Sequence, residues 1–190
     1  MKIVFATGNS HKLEEINAIS KGSGIEFVLP ENGFDPIENG STFEENSLIK
    51  AKEANRVSKM MALADDSGLC VEALDGAPGI YSARYASTQA EKINKLLKEL
   101  ETHQNRNAKF VCVMTLLDKD GNVLHVSRGE CLGKIAKLQS GTNGFGFDPV
   151  FEVDDFGMTM ADMSEEEKNK ISHRGKALTD MLNFIQNNFT

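Results

Sequence analysis

Apolar and polar positions change period several times along this chain, and each change marks an element. Ile3-Val4-Phe5-Ala6 is an unbroken apolar run that fits a buried strand, and it leads straight into Thr7-Gly8-Asn9. Leu13, Ile16 and Ile19 then recur at helical spacing, with Asn9 or Ser10 placed to cap the helix. Thr42-Phe43-Glu44-Glu45 has capping-box spacing and predicts a long helix reaching about Lys59. Phe43, Asn46, Lys50, Ala54 and Val57 share one side of it, so a polar pair lies within a partly apolar stripe.

Met60 to Ala64 reads as apolar interior, interrupted by Asp65-Asp66 and by an expected turn at Ser67-Gly68. Thr88 to Glu91 is a second capping box, opening a helix whose Ile93, Leu96, Leu97 and Leu100 form an apolar stripe. Phe110 to Leu117 is strand-like, and the turn at Asp120-Gly121-Asn122 sends Val123 to Arg128 back as a hairpin partner. A glycine-rich loop from Gly141 to Asp148 ends at Pro149, before a short strand at Val150 to Val153. Ser164 to Glu167 is a third capping box, and Leu178, Met181, Leu182 and Ile185 line the last helix. A hairpin among strand–helix units predicts an α/β fold with a mixed sheet, in one domain over residues 1–190 without repeats or long linkers.

Composition narrows the function classes. The chain has 190 residues and a net charge of −7, which argues against a protein that coats a nucleic acid polymer. A small anionic ligand remains compatible, because a few converging Lys or Arg residues reverse the field locally. Cys70, Cys112 and Cys131 are widely spaced and form no CxxC pair, so neither a zinc site nor a disulfide framework is expected. The first apolar run is too short for a signal peptide and no window reaches the length of a membrane span. The expectation is a soluble cytoplasmic protein with no membrane partner.

Five stretches can carry chemistry. In TGNSHK, Thr7 to Lys12, a glycine between strand and helix lets backbone N–H groups approach an anion, and Lys12 adds a charge. A plain strand–helix turn explains the same residues. Lys50 on a core-directed face needs water or an anionic partner, and Glu38 in the loop before it is a candidate to pair with it or to bind a metal. Asp65-Asp66 at a strand end suits a hard cation such as Mg²⁺, which takes one or two carboxylates plus waters and phosphates; a solvated turn is the alternative. SGTNGFGFDPVF, residues 140–151, matches neither a Walker loop nor a dinucleotide fingerprint, yet Phe145 or Phe147 offers a stacking surface unless both rings enter the core. Finally His173 and Arg174 stand near a helix start, with Lys168 one helical turn upstream, as donors for a carbonyl or phosphate oxygen or simply as surface charge.

TGNSHK, ENSLIKA, ADDSGL with DGAPGIYSARYA, FGFDPVF and SHRGKA together resemble the inosine triphosphate pyrophosphatase family, the dITP/XTP pyrophosphatases, in order and spacing over essentially the whole chain. The resemblance implies an elongated mixed sheet flanked by helices, with two lobes around an active-site cleft, and a homodimer. It implies Mg²⁺-dependent hydrolysis of ITP, dITP and XTP to the monophosphate and pyrophosphate. Carried over residue by residue, Thr7, Gly8, Asn9, Ser10, His11 and Lys12 cradle the triphosphate, with Lys50 as a second phosphate contact. Glu38 and Asp66 are implied Mg²⁺ ligands, Asp66 is also the proton acceptor, Asp65 supports the metal site, and Glu45 is a further candidate to face it. Ser67 touches substrate, Phe145, Gly146, Phe147 and Asp148 hold the base, and Lys168, His173 and Arg174 complete recognition of base and sugar. Donors from His173 and Arg174 accept a 6-oxo purine and oppose the amino group of adenine. Two other readings stand beside this one: a Maf-like pyrophosphatase for pyrimidine or modified nucleotides, and a nucleotide-binding module without hydrolysis.

Overall fold

The computed structural model describes residues 1–30 and 33–189. Its elements run β1 (Lys2–Phe5), α1 (Ser10–Ile19), β2 (Glu26–Val28), α2 (Phe43–Ser58), β3 (Ala62–Val71), α3 (Gln89–Glu99), β4 (Asn107–Leu117), β5 (Val123–Ile135), β6 (Phe151–Val153), α4 (Glu165–Ile171) and α5 (His173–Phe189). The strands form one sheet in the order β2-β1-β3-β4-β5-β6. β1 is parallel to both β2 and β3, whereas β6 is antiparallel to β5, so the sheet is mixed as the hairpin predicted. Asp118 closes the β4–β5 turn, its Oδ1 accepting from the backbone N–H groups of Asp120 and Asn122.

The chain divides into two compact units. The first comprises Met1–Asp66, Cys112–Gly129 and Arg174–Thr190; the second comprises Ser67–Val111 and Glu130–His173. Within the first unit the period-two alternation of strands sorts the core into two layers. Ile3, Phe5, Leu63, Cys112, Met114 and Leu116 pack with Ile16 of α1 and with Ala177, Leu178, Met181 and Ile185 of α5. Val4, Ala6, Ala62, Ala64 and Leu117 point the other way, against Ala51 and Ala54 of α2. Five of the seven buried residues in that second layer are alanine, which lets α2 pack closely on the strands. The second unit has its own core, in which Leu69, Val71, Ile93, Leu96, Phe110, Cys131, Phe147 and Phe151 pack together.

One expectation about chain path changes. No turn occurs at Ser67-Gly68, because β3 continues as one strand through to Val71. The glycine answers a different need: a Cβ at Gly68 would lie 2.1 Å from the Gly79 carbonyl oxygen and 2.8 Å from Ser82 Oγ. Ser82 Oγ accepts from Leu69 N at 2.9 Å and donates to Gly79 O at 2.6 Å, locking that close approach. Ser172 is extended (φ −68°, ψ 158°) and separates α4 from α5, so His173 and Arg174 stand at a helix start, as expected. Lys168 and Arg174 therefore belong to different helices.

Gly68→Ala is expected to lower unfolding stability by about 1–3 kcal/mol, the usual cost of forcing atoms into a packed interior. A urea titration checks this: the midpoint should fall at an unchanged m-value, and an unchanged midpoint would contradict the close approach.

A candidate active site built around Asp65 and Asp66

Adjacent residues on a strand face opposite ways, and this separates the two aspartates. Asp65 shares the side of Leu63, toward α1 and α5, whereas Asp66 shares the side of Ala64, toward α2. Their partners follow that division.

Asp65 is buried at 1% exposure, and Lys12 Nζ of α1 contacts both of its oxygens at 3.0 Å. Arg174 of α5 donates through Nη2 and Nε to Asp65 Oδ2 at 3.3 and 3.4 Å, and through Nη1 to Glu15 Oε2 at 2.5 Å. Cys112 Sγ of β4 lies 4.0 Å from the same Oδ2. Arg174 comes four residues before Leu178, and Glu15 directly precedes Ile16, so both project with the apolar stripes of their helices. Burial pulls the Arg174 guanidinium toward neutrality, but the carboxylates of Asp65 and Glu15 outweigh it and hold its pKa above the ordinary value. For Lys12 burial wins: its pKa falls, with Asp65 opposing the shift and the charges of Lys50 and Arg174 adding to it.

On the other face, Lys50 Nζ of α2 donates to Asp66 Oδ1 at 3.0 Å and lies 3.2 Å from Glu38 Oε2. The second oxygen, Asp66 Oδ2, is buried and has no hydrogen-bond partner among the described residues. Burial raises the Asp66 pKa, with Lys50 opposing the shift. Burial also presses on Lys50, but the carboxylates of Asp65, Asp66 and Glu38 overcome it and raise its pKa. Lys12, Lys50 and Arg174 thus meet Asp65, Asp66, Glu38 and Glu15 in the first unit.

TGNSHK lies beside this network. Asn9 caps α1 by accepting from His11 N at 3.0 Å, and Thr7 Oγ1 accepts from Asn9 N at 3.0 Å. Gly8 is exposed, and a Cβ there would meet nothing within 4 Å, so the chain's own packing does not demand a glycine. Ser10 is exposed, and His11 sits 3.8 Å from Glu14 at the surface. Glu45 Oε2 accepts from Ser41 N at 2.6 Å and Ser41 Oγ at 2.8 Å, contacts that lower its pKa. Among the described residues no three His, Cys, Asp or Glu side chains gather as a metal cage.

In the second unit, buried Asp148 organises the glycine-rich loop. Its Oδ2 accepts from Phe145 N at 2.9 Å and from Lys168 Nζ at 2.8 Å. Gly144 has φ +70°, and a Cβ there would stand 2.1 Å from that oxygen, so only glycine admits the contact. Lys168 Nζ also lies 4.9 Å from the Phe145 ring centroid. The two phenylalanines part company: Phe147 enters the core beside Tyr85, while Phe145 stays half-buried. Gly146 N donates to Gln89 Oε1 at 3.2 Å, and Ser67 is half-buried in β3. His173 stacks on Phe110 with centroids 4.7 Å apart and an interplanar angle of 12°. Lys168 thus contacts Asp148 and the Phe145 ring, His173 stacks on Phe110, and Arg174 joins Asp65 and Glu15. Glu15 and Gln89 were missed; the position of Glu15 next to Ile16, on the inward face of α1, was the available signal for the first.

An α/β protein with charge-compensated carboxylates on the third strand of its chain is the class this geometry defines. Residues 3–184 match the model of the Ham1 family, and the chain belongs to that family. It is 46% identical to the dITP/XTP pyrophosphatase of Treponema denticola, covering 98% of this chain and 99% of that one. Among solved structures it resembles a HAM1 protein from Coxiella burnetii (TM-score 0.89, 41% identity, 98% and 99% of the two chains). It also resembles the Ham1 protein of Staphylococcus aureus (TM-score 0.88, 39% identity, the same coverage).

The two aspartates should respond oppositely to neutralisation. Asp65→Asn leaves Lys12 and Arg174 buried with too little counter-charge, and about 3–5 kcal/mol of stability should be lost. Asp66→Asn should be neutral or stabilising, since burial already disfavours the ionised carboxyl. The raised Asp66 pKa means that the folded state holds the proton longer than the unfolded chain. Its contribution is therefore full below the ordinary carboxyl pKa and lost as pH rises through the higher folded value. Chemical denaturation of both variants checks this, and equal losses would contradict it.

Proposed function

We propose that this chain is a nucleoside triphosphate pyrophosphatase that hydrolyses non-standard purine nucleotides, ITP, dITP and XTP, to the monophosphate and pyrophosphate. The observation that carries the reading is the Asp66 carboxylate, fixed by Lys50 through one oxygen and buried without a partner at the other. Its relatives' name, dITP/XTP pyrophosphatase, supports the substrate class.

Asp66 Oδ2 and Glu38 fit a hard cation such as Mg²⁺, which needs only one or two carboxylates when waters and phosphates complete its shell. Such an ion, when bound, offsets phosphate charge and makes water more acidic. The chain's own residues supply the rest. Gly8 permits backbone approach, the start of α1 presents N–H groups, and Lys12 and Lys50 bring full charges to the triphosphate. Asp66 takes the proton of the attacking water as its oxygen bonds to the α-phosphorus and the bond to the bridging oxygen breaks, releasing pyrophosphate. Lys50 keeps Asp66 in place. Asp65 serves the site indirectly, by holding Lys12.

Residues of the second unit take the base in this reading. Phe145 offers its ring, Gly146 and Asp148 shape the loop, and Lys168 and His173 supply donors to a 6-oxo group, against which an adenine amino group sets donor against donor. Arg174, engaged by Asp65 and Glu15, acts as a clamp on the charged network. The enzyme is proposed to work in the cytoplasm as a homodimer; its three cysteines as thiols suit a reducing compartment, and the dimer follows from the family resemblance. Among the described residues no helix is long and apolar enough to cross a membrane.

Purified protein with Mg²⁺ should release pyrophosphate from ITP and XTP far faster than from ATP, dTTP or UTP. Equal rates on ATP, orthophosphate as first product, or a preference for the pyrimidines would overturn the reading. Asp66→Asn should cut kcat by about 10²–10⁴-fold, the usual range for a lost general base, with nucleotide binding retained. Near-normal turnover would remove Asp66 from that role.

A further inference from the structure

Glu38 sits in a stretch without helix or strand between β2 and α2, yet the proposed cation role requires its carboxylate to be held in position. The first turn of α2 holds the residues just after Glu38. Asn46 Oδ1 accepts from Gly40 N at 2.9 Å, two residues beyond Glu38. Glu45 accepts twice from Ser41, the next residue. Asn46 itself has no exposed surface, and its Nδ2 has no hydrogen-bond partner among the described residues. A backbone N–H can only donate, so the Asn46 oxygen must face Gly40 and the amide has a single allowed orientation. The fit is tight from the loop side too: a Cβ at Gly40 would lie 2.7 Å from Asn46 Oδ1 and 2.7 Å from Glu45 Cβ. Asn46 also stands one helical turn before Lys50, whose Nζ lies 3.2 Å from Glu38. The same face of α2 therefore ties down the Glu38 segment at its backbone and at its carboxylate.

We propose that Asn46 is a positioning residue for the cation site: by binding the Gly40 N–H it fixes Glu38 where it can join Asp66 in holding a divalent ion. The inference rests on the Mg²⁺ assignment above and adds a residue that touches neither ion nor substrate. Asn46→Leu keeps the size of the side chain but removes the acceptor, leaving the Gly40 N–H without its partner. Gly40→Ala disturbs the same contact from the opposite side.

The test is Mn²⁺ binding to the protein without nucleotide, followed by the electron paramagnetic resonance signal of the unbound ion, with circular dichroism to verify folding. Asn46→Leu and Gly40→Ala should each raise the Mn²⁺ Kd about tenfold, the effect of one lost hydrogen bond of ordinary strength. In a Glu38→Gln background, which is itself weaker, Asn46→Leu should change Kd less than about twofold, because the arm it positions has lost its charge. Unchanged Mn²⁺ binding in folded Asn46→Leu and Gly40→Ala would overturn the proposal. So would an equal loss with and without Glu38, which would mark a general structural effect. If Glu38→Gln and Asp66→Asn both bind Mn²⁺ as the parent does, the cation assignment fails and the positioning role falls with it. A weakened Glu38→Gln beside normal Asn46→Leu and Gly40→Ala removes the positioning role alone.

Discussion

The buried ion pair between Asp65 and Arg174 is the constraint on which the rest of the first unit depends. Charges so deeply enclosed are tolerable only when paired and further hydrogen-bonded, and here Lys12 and Glu15 complete the set. The pair ties the first turn of α5 to β3, and Lys12 brings α1 to the same carboxylate. Three elements distant in sequence are thereby fixed around one side chain. Lys12 is thereby held at the end of the TGNSHK segment.

Strand geometry then turns this structural node into a site with two roles. Because β3 is extended through both aspartates, the residue after Asp65 must face the opposite layer, and there the packing differs. Ala6 just after β1, Ala62 and Ala64 of β3, and Ala51 and Ala54 of α2 give that layer small side chains, and there Lys50 meets Asp66 and Glu38. Like charges that would repel as neighbours in a turn are each given separate cations on separate faces. One carboxylate is bonded through both oxygens, and the other keeps a buried oxygen without a hydrogen-bond partner among the described residues.

Much of this was legible in the sequence. The capping boxes at Thr88 and Ser164 form as their spacing predicts, and Thr42 caps α2. The box at Thr42 is only half made, because Glu45 reaches back to Ser41 instead of to the cap, a choice set by the path of the preceding loop. Lys50 on a partly apolar face correctly signalled an anionic partner. Ser67-Gly68 misled, because glycine marks close approach as readily as a turn, and the approaching residue, Gly79, lies eleven positions on. The break between α4 and α5 rests on a single extended residue, Ser172, which no periodicity reveals. Glu15 looked like one of many helix acids until its partner Arg174, far along the chain, came into view.

The division of labour between the aspartates is most directly tested by a crystal structure with Mn²⁺ and a non-hydrolysable ITP analogue, locating the metal by anomalous scattering. A peak is expected within coordination distance of Asp66 and Glu38, on the α2 side, with Asp65 still bound to Lys12 and Arg174. A peak on Asp65, with Lys12 or Arg174 displaced from it, would contradict that division.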